Sequence, residues 1–278
     1  MKHIGTMIAA LLVGGAMSPD GAQAQTRGGF EVGAELFDYA YRERLEGATI
    51  VYDDGVFGGF HLNYVETIGG GLFLRGKLSA AGGSVDYRRP DPAGEARLEN
   101  VSQATGQLEL QLGFDLAVGG GATLSPFTGL ASRALIDESG GKVTSIGEAG
   151  YDREIGYSYI PVGVGARVPV GSGGAILLSA QYNWVVNGTA ESKFSGLDPE
   201  LPDLKLDLDG GHGFEASAAY QVALGKRALS IGPFVRHWRL DRSDSFVITN
   251  PDDPSQSLEF FEPANRTTEL GLRLSFVF

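Results

Sequence analysis

The sequence predicts an all-β protein, a closed antiparallel β-barrel of about ten strands that crosses a membrane. Three observations lead to this prediction. Apolar residues recur at every second position from Gly28 onward, and the connections between these segments alternate between short and long. After the first segment, no run approaches the roughly 18 continuous apolar residues that a membrane-spanning helix needs. Any membrane crossing is therefore made by strands.

The composition removes several classes of protein and site. The chain has no Cys, which excludes disulfides, thiol catalysis and Cys-based zinc or iron–sulfur sites. Its 22 Lys and Arg are outnumbered by 34 Asp and Glu, whereas a nucleic-acid partner requires a basic face. The excess acid falls mostly in polar connections without the spacing of a dedicated calcium loop. We therefore expect no nucleic-acid partner, no cofactor and no metal site.

The first residues have the pattern of a secretory signal peptide. A charged start at Lys2 precedes an apolar stretch over 4–16, and the Ala22-Gln23-Ala24 triplet supplies the small residues of a cleavage site. The apolar core, about 13 residues long, is too short for the alternative, a membrane anchor. We predict a signal peptide over 1–24 and a β-barrel domain over 25–278.

The predicted strands share an apolar face and a polar face. The clearest covers 107–116, where Leu108 and Leu110 face one way and Glu109 and Gln111 face the other. A soluble β-sandwich would alternate in the same way, so the strands alone do not identify a barrel. In order along the chain, the pattern recurs at 30–36, 60–64, 72–79, 159–168, 176–184, 214–222 and 269–278, and less regularly at the proline-containing 123–135 and 229–240.

The connections decide between a sandwich and a barrel. Short Gly-rich turns are predicted at 67–71, 119–122, 171–174 and 223–227. Long polar stretches separate them at 42–55, 85–102, 137–151, 188–211 and 241–266. This asymmetry is typical of transmembrane barrels, which have short periplasmic turns and long extracellular loops.

Aromatic residues near the strand ends fit two interfacial girdles. Trp184 and Trp238 end upward strands and are expected near the extracellular interface. Tyr64, Phe114 and Tyr220 come late in downward strands and are expected near the periplasmic interface.

The C-terminus resembles the signal by which the barrel-assembly machinery recognises outer-membrane proteins. Its apolar residues occupy every second position: Leu270, Leu272, Leu274, Phe276 and Phe278. Together with the signal peptide and the connection lengths, this resembles the Gram-negative outer-membrane β-barrel (porin-like) superfamily over the whole mature chain. The resemblance implies export through the secretion translocon, an outer-membrane location, contact with outer-membrane lipid and lipopolysaccharide, and a monomer.

Strand parity predicts a charged lumen. Charged side chains inside a barrel either form a ladder of ion pairs that fills the interior or line a selective channel. The strand number favours a filled interior. Arg236 is the one charge that parity places toward lipid, either reaching a lipid phosphate or turned inward by a bulge near Gly232-Pro233. The residues expected in the lumen are Glu31, Glu35, Arg75, Lys77, Glu109, Asp115, Arg133, Arg167, Glu215, Glu269 and Arg273.

These features favour a non-enzymatic barrel, either a porin-like small-solute channel or a structural and surface-interaction barrel with a largely filled lumen. The alternative is an outer-membrane enzyme, an omptin-like protease or a lipid A hydrolase. The ten-strand architecture is similar to that of the omptins, in which an acidic pair faces an Asp–His pair across the barrel mouth. Here Asp86 and Asp91 lack the omptin Asp-Trp context, and His212, near Asp207 and Asp209, is the one candidate base. We assign no catalytic residue. An autotransporter translocator is a third, disfavoured interpretation.

Overall fold

The computed structural model describes residues 29–208, 210–250 and 253–278, so the predicted signal peptide lies outside the described residues. The described residues are almost entirely β-sheet, and none of their helices is long and apolar enough to cross a membrane. The strands are β1 (Gly29–Leu45), β2 (Ala48–Gly69), β3 (Leu72–Asp91), β4 (Gly94–Phe114), β5 (Leu116–Gly119), β6 (Ala122–Glu138), β7 (Arg153–Val170), β8 (Gly174–Ser192), β9 (Leu204–Leu208), β10 (Gly211–Leu224), β11 (Arg227–Leu240), β12 (Phe246–Asn250), β13 (Asp253–Phe260) and β14 (Ala264–Val277), with a short 3-10 helix at Phe194–Gly196.

Ten of these strands close into an antiparallel barrel, as predicted. Around the barrel they follow the order β1, β2, β3, β4, β6, β7, β8, β10, β11 and β14, and β14 pairs with β1 to close the ring. β5 extends the β4 side after Asp115, β9 adds to the top of β8, and β12 with β13 forms a separate hairpin. Closure leaves no open edge along the barrel wall.

The outward faces of the strands are apolar and uncovered. Leu110 is 61% exposed and Leu130 is 70% exposed, while the alternating residues of the same strands are buried. In a sandwich, a second sheet would cover these side chains. A continuous exposed surface of this kind indicates contact with hydrocarbon. It is formed by residues such as Phe30, Leu36, Phe60, Leu62, Leu74, Leu78, Leu108, Leu112, Val162, Val164, Leu178, Phe214, Ile231, Leu270 and Leu272.

The strands continue beyond this apolar belt at the end where the long connections were predicted. The outward row of β1 passes from Leu36 to polar Asp38, and that of β2 passes from Val56 to Asp54. The stretches 42–55 and 85–102 are therefore not loops but paired strands, joined by tight turns at 46–47 and 92–93. Alternation persists there because inward side chains such as Val51 and Val101 pack in a buried cluster inside the extended barrel.

The opposite end carries the short turns that the sequence predicts. Gly70 and Gly71 join β2 to β3 with φ values of 60° and 91°, a left-handed backbone that side chains with a Cβ rarely adopt. The prediction from the sequence makes short turns periplasmic, so this end is called the periplasmic end and the extended end is called the extracellular end.

Candidate functional site

The predicted lumen residues all lie on the inner face of the barrel. Glu109 and Glu269 are fully buried, and Arg133 is buried close to them. The side chains nearer the periplasmic end, among them Arg75 and Arg167, line an open cavity. The structure therefore brings the predicted charges together in one interior column.

Arg236 is at the centre of this column. Its guanidinium lies 2.6 Å from Glu35 Oε2 and 2.6 Å from Glu269 Oε2. Arg273 approaches Glu35 Oε1 to 2.7 Å, and Arg133 pairs with Glu269. Glu35 and Glu269 therefore each have two arginine partners, and buried charges are tolerated when they are paired in this way.

Arg236 points into the lumen, so the prediction by parity that it faces lipid is wrong; the inward alternative holds, but without the predicted bulge. The pairing of β11 with β10 and with β14 shows no register shift, and Leu229, Ile231 and Val235 form its outward row. Trp238 shares the parity of Arg236, is 1% exposed and points into the lumen. Its predicted place in the extracellular girdle is therefore also wrong, because a ten-stranded lumen uses large rings to fill its interior.

Glu109 organises a second set of contacts at the same depth. Lys77 Nζ lies 3.1 Å from its Oε2, and Tyr159 Oη donates a hydrogen bond of 2.8 Å to its Oε1. Gln107 and Gln181 donate further hydrogen bonds to the same carboxylate, at 2.6 Å and 3.1 Å. The carboxylate is thus satisfied without water.

Aromatic rings fill the space between these ionic groups. Trp238 makes edge contacts with Tyr157 and Tyr159, with ring centroids 5.2 Å and 4.9 Å apart. The guanidinium of Arg133 lies 5.4 Å from the Trp238 ring, and that of Arg236 lies 4.6 Å from the Phe234 ring. A water-filled channel would expose the side chains that line it, whereas the side chains at this level are buried. The lumen is therefore filled here.

Below the filled layer, the lumen opens toward the periplasmic end as a cavity of about 280 Å³. Cations and carboxylates both line it, including Arg75, Arg273, Glu31 and Glu215. His61 lies beside it, with Nε2 3.0 Å from Ser275 Oγ and 3.2 Å from Glu31 Oε1. The mixed signs indicate a vestibule of balanced charge.

Above the filled layer, a cluster of acidic residues surrounds one arginine. Arg153 pairs with Glu43 and lies 3.4 Å from Glu262, while Tyr41 donates a hydrogen bond of 3.1 Å to Glu43. Burial raises the pKa of Glu262 to about 7, an effect that Arg153 opposes and Glu43 reinforces. The cluster joins the segment after β13 to the barrel wall.

A second acidic pair, Asp53 and Asp137, is joined through Gln103. The Gln103 Nε2 donates hydrogen bonds to Asp53 Oδ2 at 3.0 Å and to Asp137 Oδ2 at 2.6 Å. Burial and the neighbouring Asp137 charge raise the pKa of Asp53 to about 7. Sequence reasoning missed this group, because it treated 42–55 and 137–151 as solvated loops.

Among the described residues, the omptin-like candidates do not come together at the barrel mouth. His212 faces outward, paired across the ladder with Trp184 and with its ring 6.1 Å from that of Tyr182. Asp86 and Asp91 are on β3, on the opposite side of the barrel from β10. Asp207 is exposed on β9, and Asp209 lies outside the described residues.

The remaining predicted interface aromatics face outward. Trp184, Phe114 and Tyr220 are exposed, and Tyr64 packs on Phe30 with ring centroids 4.7 Å apart. The inward aromatics Phe37, Tyr39 and Tyr41 were not anticipated. Their signal was available, since they occupy alternate positions directly opposite the outward row of β1.

Comparisons with known proteins identify the class of fold. No protein-family model matches the chain, and no curated protein is similar to it at a significant level. Among solved structures, the outer membrane protease OmpT from Escherichia coli aligns with a TM-score of 0.57 and 11% identity, covering 92% of this chain and 100% of that one. The chain has the fold of an outer-membrane β-barrel.

Other outer-membrane proteins align with this barrel at lower TM-scores. An outer membrane channel from Pseudomonas putida F1 gives 0.38 at 12% identity, covering 94% of this chain and 100% of that one. The translocator domain of the autotransporter NalP from Neisseria meningitidis gives 0.37 at 12% identity, covering 90% of each chain. At such identities the likeness concerns the fold alone. The predicted resemblance to outer-membrane barrels, with the strand number of the omptins, is confirmed at that level.

Proposed function

We propose that the protein is a monomeric, non-conducting outer-membrane barrel that acts through its exterior and extracellular surfaces. The observation that carries this proposal is the filled lumen, in which the ionic column and the aromatic rings leave central residues such as Glu109 and Trp238 out of contact with solvent. Closure of the wall by β1 and β14 within one chain supports a monomer, because the ten strands of the described barrel wall leave no open edge for a strand of a partner.

Conductance distinguishes this proposal from a porin-like channel. The refolded protein in a planar bilayer is expected to give no discrete current steps. The control is Tyr159→Ala combined with Trp238→Ala, which removes two large rings from the filled layer and is expected to leak ions. Insertion of both proteins is checked by protease protection in vesicles. Discrete steps from the wild-type protein would refute the filled-lumen proposal.

We also propose that the exterior binds phosphate groups of lipopolysaccharide. Arg266 on β14 is directly opposite Arg42 on β1 and Arg239 on β11, and all three face outward just beyond the apolar belt. Like charges in direct register repel each other. Arg42 pairs with Asp54, but within the described residues Arg266 has no ion pair. Arginine suits phosphate oxygens because its guanidinium can bind two of them at once.

This partner is tested with purified lipid A. Replacing Arg42, Arg239 and Arg266 together by Gln is expected to weaken binding of phosphorylated lipid A at least tenfold. The matched control is Arg227→Gln, which removes an exposed arginine at the periplasmic end. Dephosphorylated lipid A serves as the second control. Equal binding by the triple variant and the wild-type protein would refute the assignment.

Export and assembly remain predictions from the sequence, and each has a direct test. Mass spectrometry of protein from outer-membrane fractions is expected to show a mature N-terminus at Gln25. Recovery of uncleaved protein from the inner membrane would contradict the predicted signal peptide. The reading of the C-terminal residues as an assembly signal is supported by the exposed side chain of Phe278, which directly follows β14.

A non-enzymatic role is supported by the outward position of His212 and by the packed apolar cluster that fills the extracellular end of the barrel. Peptide and lipid A hydrolysis by the refolded protein should therefore be at background. Activity that disappears in His212→Ala would overturn this part of the proposal.

A further inference from the structure

The extracellular extension of the barrel buries two carboxylates without a cation. Asp53 on β2 is 1% exposed and Asp137 on β6 is 6% exposed. Neither makes an ion pair within the described residues, and the nearby Arg153 is already engaged by Glu43 and Glu262. Buried carboxylates are normally paired with a cation or coordinate a metal, because desolvating a charge is costly.

The two carboxylates meet on a single amide. Gln103 is directly opposite Asp137 in the β4–β6 ladder, and its Nε2 donates to one oxygen of Asp137 and one oxygen of Asp53. The two acceptor oxygens are therefore held close together on either side of the amide. Ser139 donates a hydrogen bond to the second oxygen of Asp137, which fixes that side chain.

Three buried oxygen atoms around this group lack a hydrogen-bond partner. They are Asp53 Oδ1, Gln103 Oε1 and Tyr39 Oη. Tyr39 is diagonal to Asp53 on the inner face of the β1–β2 ladder. The Tyr39 ring is held by stacking on Phe57 with centroids 4.3 Å apart. Unpaired buried oxygens around two negative charges are suited to bind a cation.

We propose that Asp53, Gln103, Asp137 and Tyr39 form a binding site for one hard divalent cation, Ca²⁺ or Mg²⁺. The ligands are all oxygens, which these ions prefer to nitrogen or sulfur. A half-turn of the Gln103 amide places Oε1 where Nε2 is, between the two carboxylates, at no steric cost. Two carboxylates also match the charge of one divalent ion.

The proposed site combines two carboxylates with neutral oxygen ligands from separate strands. In the part of the chain that the structure describes, no group of three or more His, Cys, Asp or Glu side chains is arranged to hold a metal ion. The site therefore draws on neutral oxygens from Gln103 and Tyr39. Its members come from β1, β2, β4 and β6, so a bound cation would tie together strands that are not adjacent in the barrel wall.

A proton on one of the two carboxylates is the alternative to a bound cation, because it also removes the repulsion between Asp53 and Asp137. The Asp53 pKa of about 7 means that at neutral pH the carboxyl is partly protonated, which relieves its repulsion with Asp137. Cation and proton compete for the same oxygens, so cation binding is best measured at pH 8, above the pKa of Asp53.

The test uses refolded full-length mature barrel, washed with EDTA, in detergent free of lipopolysaccharide at pH 8. Titration with Ca²⁺ by calorimetry is expected to give one site per chain and to raise the thermal midpoint. Tb³⁺, a luminescent Ca²⁺ probe, is expected to be sensitised by excitation of the adjacent tyrosine. Asp53→Asn and Asp137→Asn should each weaken binding at least tenfold.

The matched control is Asp54→Asn, which changes the neighbouring carboxylate. Asp54 faces outward and pairs with Arg42 and Arg88, so this variant should bind the cation as the wild-type protein does. A second variant, Gln103→Glu, supplies a third carboxylate in the same shape. It is expected to bind Ca²⁺ at least tenfold more tightly and to need it for full thermal stability.

The Gln103→Glu variant keeps the proposal testable if the Asp variants do not fold. No saturable binding by the wild-type protein at millimolar Ca²⁺ or Mg²⁺ would refute the site. Equal losses in Asp53→Asn and Asp54→Asn would also refute it. An Asp53→Asn protein more stable than the wild type, with no response to Ca²⁺ in either, would show that the pair holds a proton instead.

Discussion

Replacing Arg236 by Met should lower the free energy of unfolding by nearly as much as the loss of any single lumen side chain can. Arg236 is 4% exposed and contacts two buried carboxylates, Glu35 and Glu269, at 2.6 Å each. Breaking a buried ion pair by removing one partner costs about 3–5 kcal/mol, because the remaining charge stays desolvated. The lost contact with the Phe234 ring adds roughly 0.5–2 kcal/mol. We expect a loss of about 4 kcal/mol, or roughly a thousandfold change in the unfolding equilibrium.

The measurement is urea unfolding of the barrel in lipid vesicles, followed by tryptophan fluorescence. A Trp184→Phe background leaves Trp238, inside the lumen, as the reporter among the chain's two tryptophans. The control is Arg239→Met on the outer face of the same strand, where the carboxylate of Asp241 is 3.8 Å away and largely solvated. Its expected cost is about 1 kcal/mol or less.

Adding Glu35→Gln to the Arg236 variant should recover part of the loss, because Arg273, the other partner of Glu35, is partly exposed and also lies 3.8 Å from Glu215. Glu269→Gln should not, because it would leave the buried Arg133 without its carboxylate. An Arg236→Met protein within about 1 kcal/mol of the wild type would contradict the ionic column as a source of stability. So would an equal cost for Arg239→Met.

Three further predictions follow from packing, titration and assembly. A Cβ at Gly213 would lie 2.4 Å from the Trp238 ring, so Gly213→Ala should destabilise the barrel by about 1–3 kcal/mol, whereas Gly106→Ala, with open space, should be nearly neutral in the same urea assay. The folded-state pKa of Glu262, about 7, is above its ordinary 4.5, so the native state holds the proton more tightly. Stability is therefore expected to fall by up to about 3 kcal/mol as pH rises from about 4.5 to 7. Glu262→Gln should reduce the fall of the thermal midpoint over that range, although Asp53, whose pKa is also about 7, still contributes to it. An unchanged pH dependence would count against the assignment. Deleting Phe278 should lower the amount of barrel inserted in cells while the purified chain still refolds in detergent; normal insertion would show that the C-terminal pattern is not read.

The fold was predictable because one physical constraint dominates the sequence. Each strand must present apolar side chains to lipid at every second position, so residues such as Leu108 and Leu110 reveal both the strand and its outward face. The inner face has no comparable requirement, because charged side chains, amide side chains and aromatic rings can all fill a lumen. That is why the charged set around Glu109 could be placed by parity, while Trp238, an aromatic residue compatible with either face, was misplaced.

The extracellular extension was harder to predict for a related reason. Above the lipid, neither face must be apolar, and polar stretches such as 42–55 look like loops. The pairing that makes them strands is set by partners distant in sequence, as Gln103 and Asp137 show. Convergence of Asp53 with these residues depends on barrel closure, which no local pattern encodes.

The length of the strands determines how far the barrel extends from the membrane. With a rise of roughly 3.3 Å per residue and a tilt near 40°, the 22 residues of β2 span about 55 Å, against about 25 Å of hydrocarbon. Some 30 Å of hydrogen-bonded sheet therefore lies beyond the lipid tails, mostly on one side. An epitope inserted at the 46–47 turn would be displayed on a stiff stalk, clear of the headgroups and within reach of an antibody or a phage.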